Sequence, residues 1–119
     1  LFGWFWRQSG KTHGYTKAIW NGVTTIELAR AINEAIRQNL TGLYHLVPAD
    51  NISKFNLLQQ IKATFKRNDI ELIENEDLVV DKTLLNTRND FKFDVRDYKT
   101  QIEDMRTWIE SHSGMYSWF

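Results

Sequence analysis

Apolar residues recur at helical intervals in three stretches of the chain and bunch together without a helical period in several others. The first periodic stretch opens at Thr24, with Glu27 three residues on. That is the spacing of a capping box, in which the hydroxyl accepts from one free amide and the carboxylate turns back to the cap's own N–H. Leu28, Ile32, Ala35 and Ile36 then share one face, which is expected to enter a core, and Gly42 stands beyond the end. A second helix is predicted after Ser53 as N-cap, with Leu57, Leu58, Ile61 and Phe65 on its buried side. The third follows Asp97 and is the most regular, with Tyr98, Ile102, Met105 and Ile109 in line before Gly114.

Residues 43–47, a nearly continuous apolar run between Gly42 and Pro48, read as a buried parallel strand. Residues 70–74 read as a second short strand, and residues 15–20 as a third that leads into the turn Asn21-Gly22. Residues 9–14 are polar and glycine-containing, and residues 75–94 are mixed, so both read mainly as loop. The order predicts a small α/β unit of about three helices with two or three short strands, few for an independent sheet. Residues 1–8 place Leu1, Phe2, Trp4, Phe5 and Trp6 together with no period, so the segment is apolar on every side and needs cover. With its abrupt start and no initiator Met, the chain is expected to be a piece of a longer protein, its 119 residues forming one domain.

The composition, 42% hydrophobic and 25% charged with one Pro, is that of a folded globule. Fifteen basic residues balance fifteen acidic ones, so no net field draws the chain to nucleic acid or to an anionic membrane. There is no apolar run of about 18 residues and no secretory signal, which leaves the cytoplasm as the expected location. The absence of Cys removes thiolate nucleophiles and Cys-ligated zinc. His13, His45 and His112 lack metal-ligand spacing, so no metal site is expected. Gly10-Lys11-Thr12 looks like the tail of a phosphate-binding loop, but Phe5 occupies the position of that motif's first glycine and excludes it. The carboxylates at Glu74, Glu76, Asp77 and at Glu103, Asp104 read as solvated faces, and no catalytic residue is assigned.

Two constellations carry candidate binding chemistry. Trp20, Asn21 and Gly22 set an aromatic plate beside an amide and a glycine turn, a combination able to stack on a sugar or base and hydrogen-bond its edge; a buried Trp before a turn is the plainer alternative. Lys82, Asn86 and Arg88 fall in an irregular segment where they can converge on a phosphate, with simple surface exposure as the alternative.

The succession Gly14-Tyr15-Thr16, residues 20–29 (WNGVTTIELA), residues 42–47 (GLYHLV) and Ser53-Lys54-Phe55 resembles the C-terminal part of extended short-chain dehydrogenase/reductases. Within them it is most similar to the dTDP-4-dehydrorhamnose reductase-like sugar-nucleotide reductases, and the run from Asp81 to Arg88 with Phe91 extends the likeness. The resemblance implies a substrate-binding lobe whose parent binds NAD(P)H on an N-terminal Rossmann domain and a nucleotide-diphosphate sugar between the two. It places Trp20, Asn21 and Gly22 on the sugar wall and Lys82, Asn86 and Arg88 toward the diphosphate. The cofactor domain's glycine fingerprint is absent, and no Tyr is followed four residues later by Lys. The lobe is therefore expected to bind no cofactor and to be inactive alone. It is also expected to form a homo-oligomer, one route being contact of residues 1–6 with Trp118 and Phe119 of another copy. The alternative is a free-standing, non-catalytic interaction or small-ligand module sharing the lobe's pattern.

Overall fold

The computed structural model describes residues 1–116. Along the chain lie α1 (Phe2–Trp6), β1 (Gly10–Tyr15), β2 (Ala18–Trp20), α2 (Thr25–Arg37), β3 (Ile52–Ser53), α3 (Lys54–Thr64), β4 (Ile70–Asn75), β5 (Val80–Lys82) and α4 (Tyr98–Ser111), closed by a 3₁₀ turn, Ser113–Met115. The α/β class is the one the pattern predicts, with more strand than the sequence reading assigns. β1 and β4 form a parallel pair in register from Gly10↔Ile70 to Tyr15↔Asn75. β2 lies at the centre of a second sheet, antiparallel to β3 and parallel to β5.

Both α3 and α4 begin where the sequence says. Ser53 Oγ accepts from the Asn56 N–H at 3.1 Å, and Asp97 Oδ1 accepts from the Thr100 N–H at 2.7 Å. Leu57, Leu58, Ile61 and Phe65 turn into a core shared with Tyr98, Ile102 and Ile109 of α4, Ile70 of β4 and Ile52 of β3. α4 stops at Ser111, ahead of Gly114, which lies in the 3₁₀ turn. The aromatic start is covered from within the chain. Phe5 is fully buried, and the Phe2 and Trp6 rings pack on Phe65 at 4.8 and 5.8 Å between centroids. The Arg67 guanidinium lies 4.7 Å from the Trp6 ring centre and donates to the carbonyls of Trp6 and Gln8, both at 2.6 Å. Only Leu1 and Trp4 of this cluster stay strongly exposed, so these rings do not require a second copy. Trp118 and Phe119 lie outside the described residues.

Three local expectations are corrected. Residues 9–14 are strand from Gly10 onward, because β4 provides a parallel partner that overrides the low strand preference of glycine. Val80–Lys82 becomes β5 for the same reason, through β2. Residues 43–47, expected as a buried strand, pair with no strand among the described residues, and Leu43 is 80% exposed. An apolar run becomes a strand only where a backbone edge meets it, and here none does.

α2 departs furthest from its prediction. Thr24 caps it, its hydroxyl accepting from the Glu27 N–H at 3.3 Å. The other half of the box is rerouted: the Thr24 N–H donates to Gln101 Oε1 at 2.9 Å, while the Glu27 carboxylate turns to Arg96. The end is a Schellman turn on Asn39, whose φ is 52°; Leu40 N–H reaches the Ala35 carbonyl at 2.9 Å and Asn39 N–H that of Ile36 at 3.2 Å. The helix therefore stops before Gly42. Its inward residues are Glu27 and Ala31, whereas Leu28, Ile32 and Ile36 are 42%, 50% and 72% exposed. The apolar stripe faces out. Polar clamps hold it so: Glu27 accepts from the Arg96 main chain at 3.0 Å and from its guanidinium at 2.6 and 2.8 Å, and the Gln38 amide exchanges two bonds with the Lys92 backbone, at 2.8 and 3.0 Å.

Candidate functional site

Trp20 ends β2, opposite Ile52 of β3 and Lys82 of β5. Residues paired across neighbouring strands stand side by side on one face, which places the two side chains on one wall. They line a cleft of about 290 Å³ with Ser53, Lys54 and Leu57 at the start of α3. Lys54 and Lys82 have no ion-pair partner among the described residues. The first turn of α3 adds its free N–H groups and the positive end of the helix dipole. An aromatic plate flanked by two ammonium groups and a helix start suits a ligand with a flat or ring portion and an anionic one. Gly22 shapes this wall: a Cβ there would lie 1.9 Å from Trp20 Cζ2, so only glycine lets the indole fold across the turn.

The remaining sequence candidates are engaged elsewhere. Asn21 is buried, and its amide clamps one backbone unit, Nδ2 donating to the Leu84 carbonyl at 2.8 Å and Oδ1 accepting from the Leu84 N–H at 2.9 Å. It ties β2 to the segment after β5 and has little capacity left for a ligand. Asn86 makes a local turn with Arg88, its Oδ1 accepting from the Arg88 N–H at 3.0 Å, and donates to Tyr44 Oη at 2.7 Å. The Arg88 guanidinium donates to the carbonyls of Thr41 and Leu43, each at 2.8 Å, and to both oxygens of Asp90, at 2.9 and 2.5 Å. The pairing with Asp90 holds the Arg88 pKa above its ordinary value and that of Asp90 below it. Neither Asn86 nor Arg88 lines the Trp20 cleft. Together with the bond between His45 Nδ1 and the Leu85 carbonyl at 2.9 Å, they fasten residues 41–45 to residues 84–90. Trp20 and Lys82 thus meet as a pair, and the residue the sequence reading missed is Lys54. Its signal was its place directly after the Ser53 cap, where a cation's head reaches past the helix start.

Glu27 is the one buried charged side chain among the described residues. Burial raises its pKa, but the hydrogen bonds from the Arg96 main chain and guanidinium and from Arg30 outweigh this and hold it below 4.5. The Arg96 guanidinium also pairs with Asp104 of α4, so one side chain joins α2 to α4. Among the described residues no group of three His, Asp or Glu is placed to hold a metal ion, and no helix is long and apolar enough to cross a membrane.

No family model and no curated protein sequence matches the chain. Solved structures do. The dTDP-4-dehydrorhamnose reductase of Bacillus anthracis, solved in complex with NADP, superposes with a TM-score of 0.69 at 16% identity, over 89% of this chain and 40% of the reductase. The dTDP-4-dehydrorhamnose reductase of Clostridium acetobutylicum gives 0.67 at 14% identity, over 84% and 39%. The dTDP-glucose 4,6-dehydratase of Bacillus anthracis, in complex with NAD, gives 0.59 at 13%, over 90% and 36%. The chain shares their fold. The chain spans about two fifths of the length of the two reductases, and the likeness runs through nearly all of it.

Proposed function

We propose that the chain is the substrate-binding lobe of an NAD(P)-dependent sugar-nucleotide reductase, carried C-terminal to a Rossmann domain in a cytoplasmic parent enzyme and inert without it. The observation that carries this reading is the coverage: 84–90% of this chain fits onto only 36–40% of three nucleotide-sugar enzymes. The surface supports it. Leu28, Ile32 and Ile36 on α2 form an apolar stripe, and residues 43–47 are an apolar run that pairs with no strand among the described residues, the two features an α/β sheet domain needs in order to add a helix and a strand. When that domain is missing, copies of the lobe associate through the same stripe.

In this reading Trp20 stacks on the sugar or base, and Lys82 and Lys54 meet the diphosphate at the start of α3. Gly22 and Asn21 shape the wall, while Asn86 and Arg88 hold the loop beside it. NAD(P)H belongs to the parent's cofactor domain. Titration calorimetry of the chain with dTDP-glucose, NADPH and NADH tests the assignment. Measurable dTDP-glucose binding, weakened by Lys82→Met, without heat from either dinucleotide is the expected result. Micromolar binding of NADH or NADPH to these 119 residues would overturn it.

A further inference from the structure

The Trp20 cleft continues beyond its own walls. It shares Leu1, Trp20 and Leu57 with a second cavity of about 260 Å³, lined also by Ile61, Ile102 and Met105. That cavity in turn shares Phe2, Thr25 and Met105 with a third of about 530 Å³, which reaches Trp108 and Ile109. The three make one trough. Along α4 it runs from Tyr98 to Ile109, about 16 Å at the helical rise of about 1.5 Å per residue, roughly the extended length of a twelve-carbon chain. Leu1 and Trp108 remain exposed along it, so the trough is open to solvent.

Charge is confined to one end. Among the described residues the only charged side chains lining the trough are Lys54 and Lys82, both in the Trp20 cleft and both without an ion-pair partner. No carboxylate of the described residues lines any of the three cavities. Two ammonium groups with no acidic neighbour on the wall attract a doubly charged phosphate. Past Trp20 the walls are mainly apolar, with Val23, Ile61, Ile102, Met105 and Ile109 among them. A nucleotide sugar suits the cationic end but is polar along its whole length, and it leaves this apolar remainder uncovered. A ligand that matches the whole trough is anionic at one end and hydrocarbon over the rest.

We propose that the trough binds a single-chain amphiphile, an unbranched alkyl chain with a terminal phosphate, its head at Lys54 and Lys82 and its tail running past Leu57 and Met105 to Trp108. The proposal goes beyond the nucleotide-sugar reading. Both ligands use the cationic end, and only the amphiphile uses the cavities along α4.

Titration calorimetry of the full chain with dodecyl phosphate, kept below micelle formation, tests it against hexyl phosphate and the uncharged dodecyl maltoside. Saturable binding of dodecyl phosphate is expected, about a hundredfold tighter than that of hexyl phosphate, since each buried methylene is worth about fourfold. Lys82→Met should weaken both phosphates by about tenfold, as loss of a charge-assisted bond does. Ala29→Phe, an exposed position that lines only the far cavity, should weaken dodecyl phosphate by about tenfold through lost methylene burial and leave hexyl phosphate and dTDP-glucose unaffected. Trp108→Ser, also at the far end, should act in the same way. These two variants separate this proposal from the nucleotide-sugar reading, whose failure would remove dTDP-glucose binding alone. The proposal falls if dodecyl phosphate does not bind at about 1 mM, if hexyl phosphate or dodecyl maltoside binds as tightly, or if neither far-end variant weakens the dodecyl compound.

Discussion

Helix α3 carries Leu57, Leu58 and Ile61 into the core and leaves Asn56 and Gln59 in solvent, whereas α2, with a more sharply one-sided apolar stripe, buries Glu27 and Ala31 and exposes Leu28, Ile32 and Ile36. Both helices use the N-cap residue their sequences predict, α2 without the return bond of its capping box. They differ in what holds them. α3 is held by apolar contact from both sheets and α4, while α2 is held by charge-assisted and amide bonds from Arg96 and Lys92 on the segment entering α4 and from Gln101 within it. Amphipathicity therefore announces that a helix has an apolar surface to cover, and says nothing about which body covers it. On α2 the specific polar partners orient the helix and leave its stripe exposed.

The strongest way to break this comparison is to truncate one residue on each helix. Leu58→Ala should cost about 2–5 kcal/mol in urea denaturation, the range for a buried leucine; an equal loss from Ile36→Ala would mean that the α2 stripe is core after all. Next comes the polar anchor. Glu27→Ala should cost about 3 kcal/mol, because it strands the partly buried Arg96 and opens the α2 clamp. The same anchor predicts acid sensitivity. The folded pKa of Glu27 lies below its ordinary 4.5, so its stabilising contribution is fully present above that value and is lost as pH falls through the folded pKa. Glu27→Gln should flatten this acid limb in a pH series of melting curves.

Asn21→Ala sharpens the role of the turn beside the Trp20 cleft. It should cost about 1–2 kcal/mol through two lost bonds to Leu84, whose partial exposure lets water replace them in part. A loss of ligand affinity with no change in stability would instead return Asn21 to the binding surface. The smallest expected effect on stability is the most informative about partners. The double change Ile32→Ser and Ile36→Ser should shift unfolding by less than about 0.5 kcal/mol, yet reduce self-association in sedimentation at several concentrations. A large loss of stability, or unchanged association, would remove the α2 stripe as a docking surface.

Several features are readable in short stretches of the sequence alone: the caps at Thr24, Ser53 and Asp97, the buried faces of α3 and α4, and the strand at 70–74. Each depends on residues within one or two turns of each other or on a period the chain itself repeats. Only the tertiary structure decided that residues 10–14 are strand and residues 43–47 are not, that Asn21 and Arg88 hold backbone, and that α2 turns its charge inward. The deciding partners lie 45 to 69 residues away, as Leu43 does from Arg88, Leu84 from Asn21 and Arg96 from Glu27. A strand exists only beside another edge, and a carboxylate is buried only where cations meet it; neither neighbour is visible in the local pattern that proposes the element.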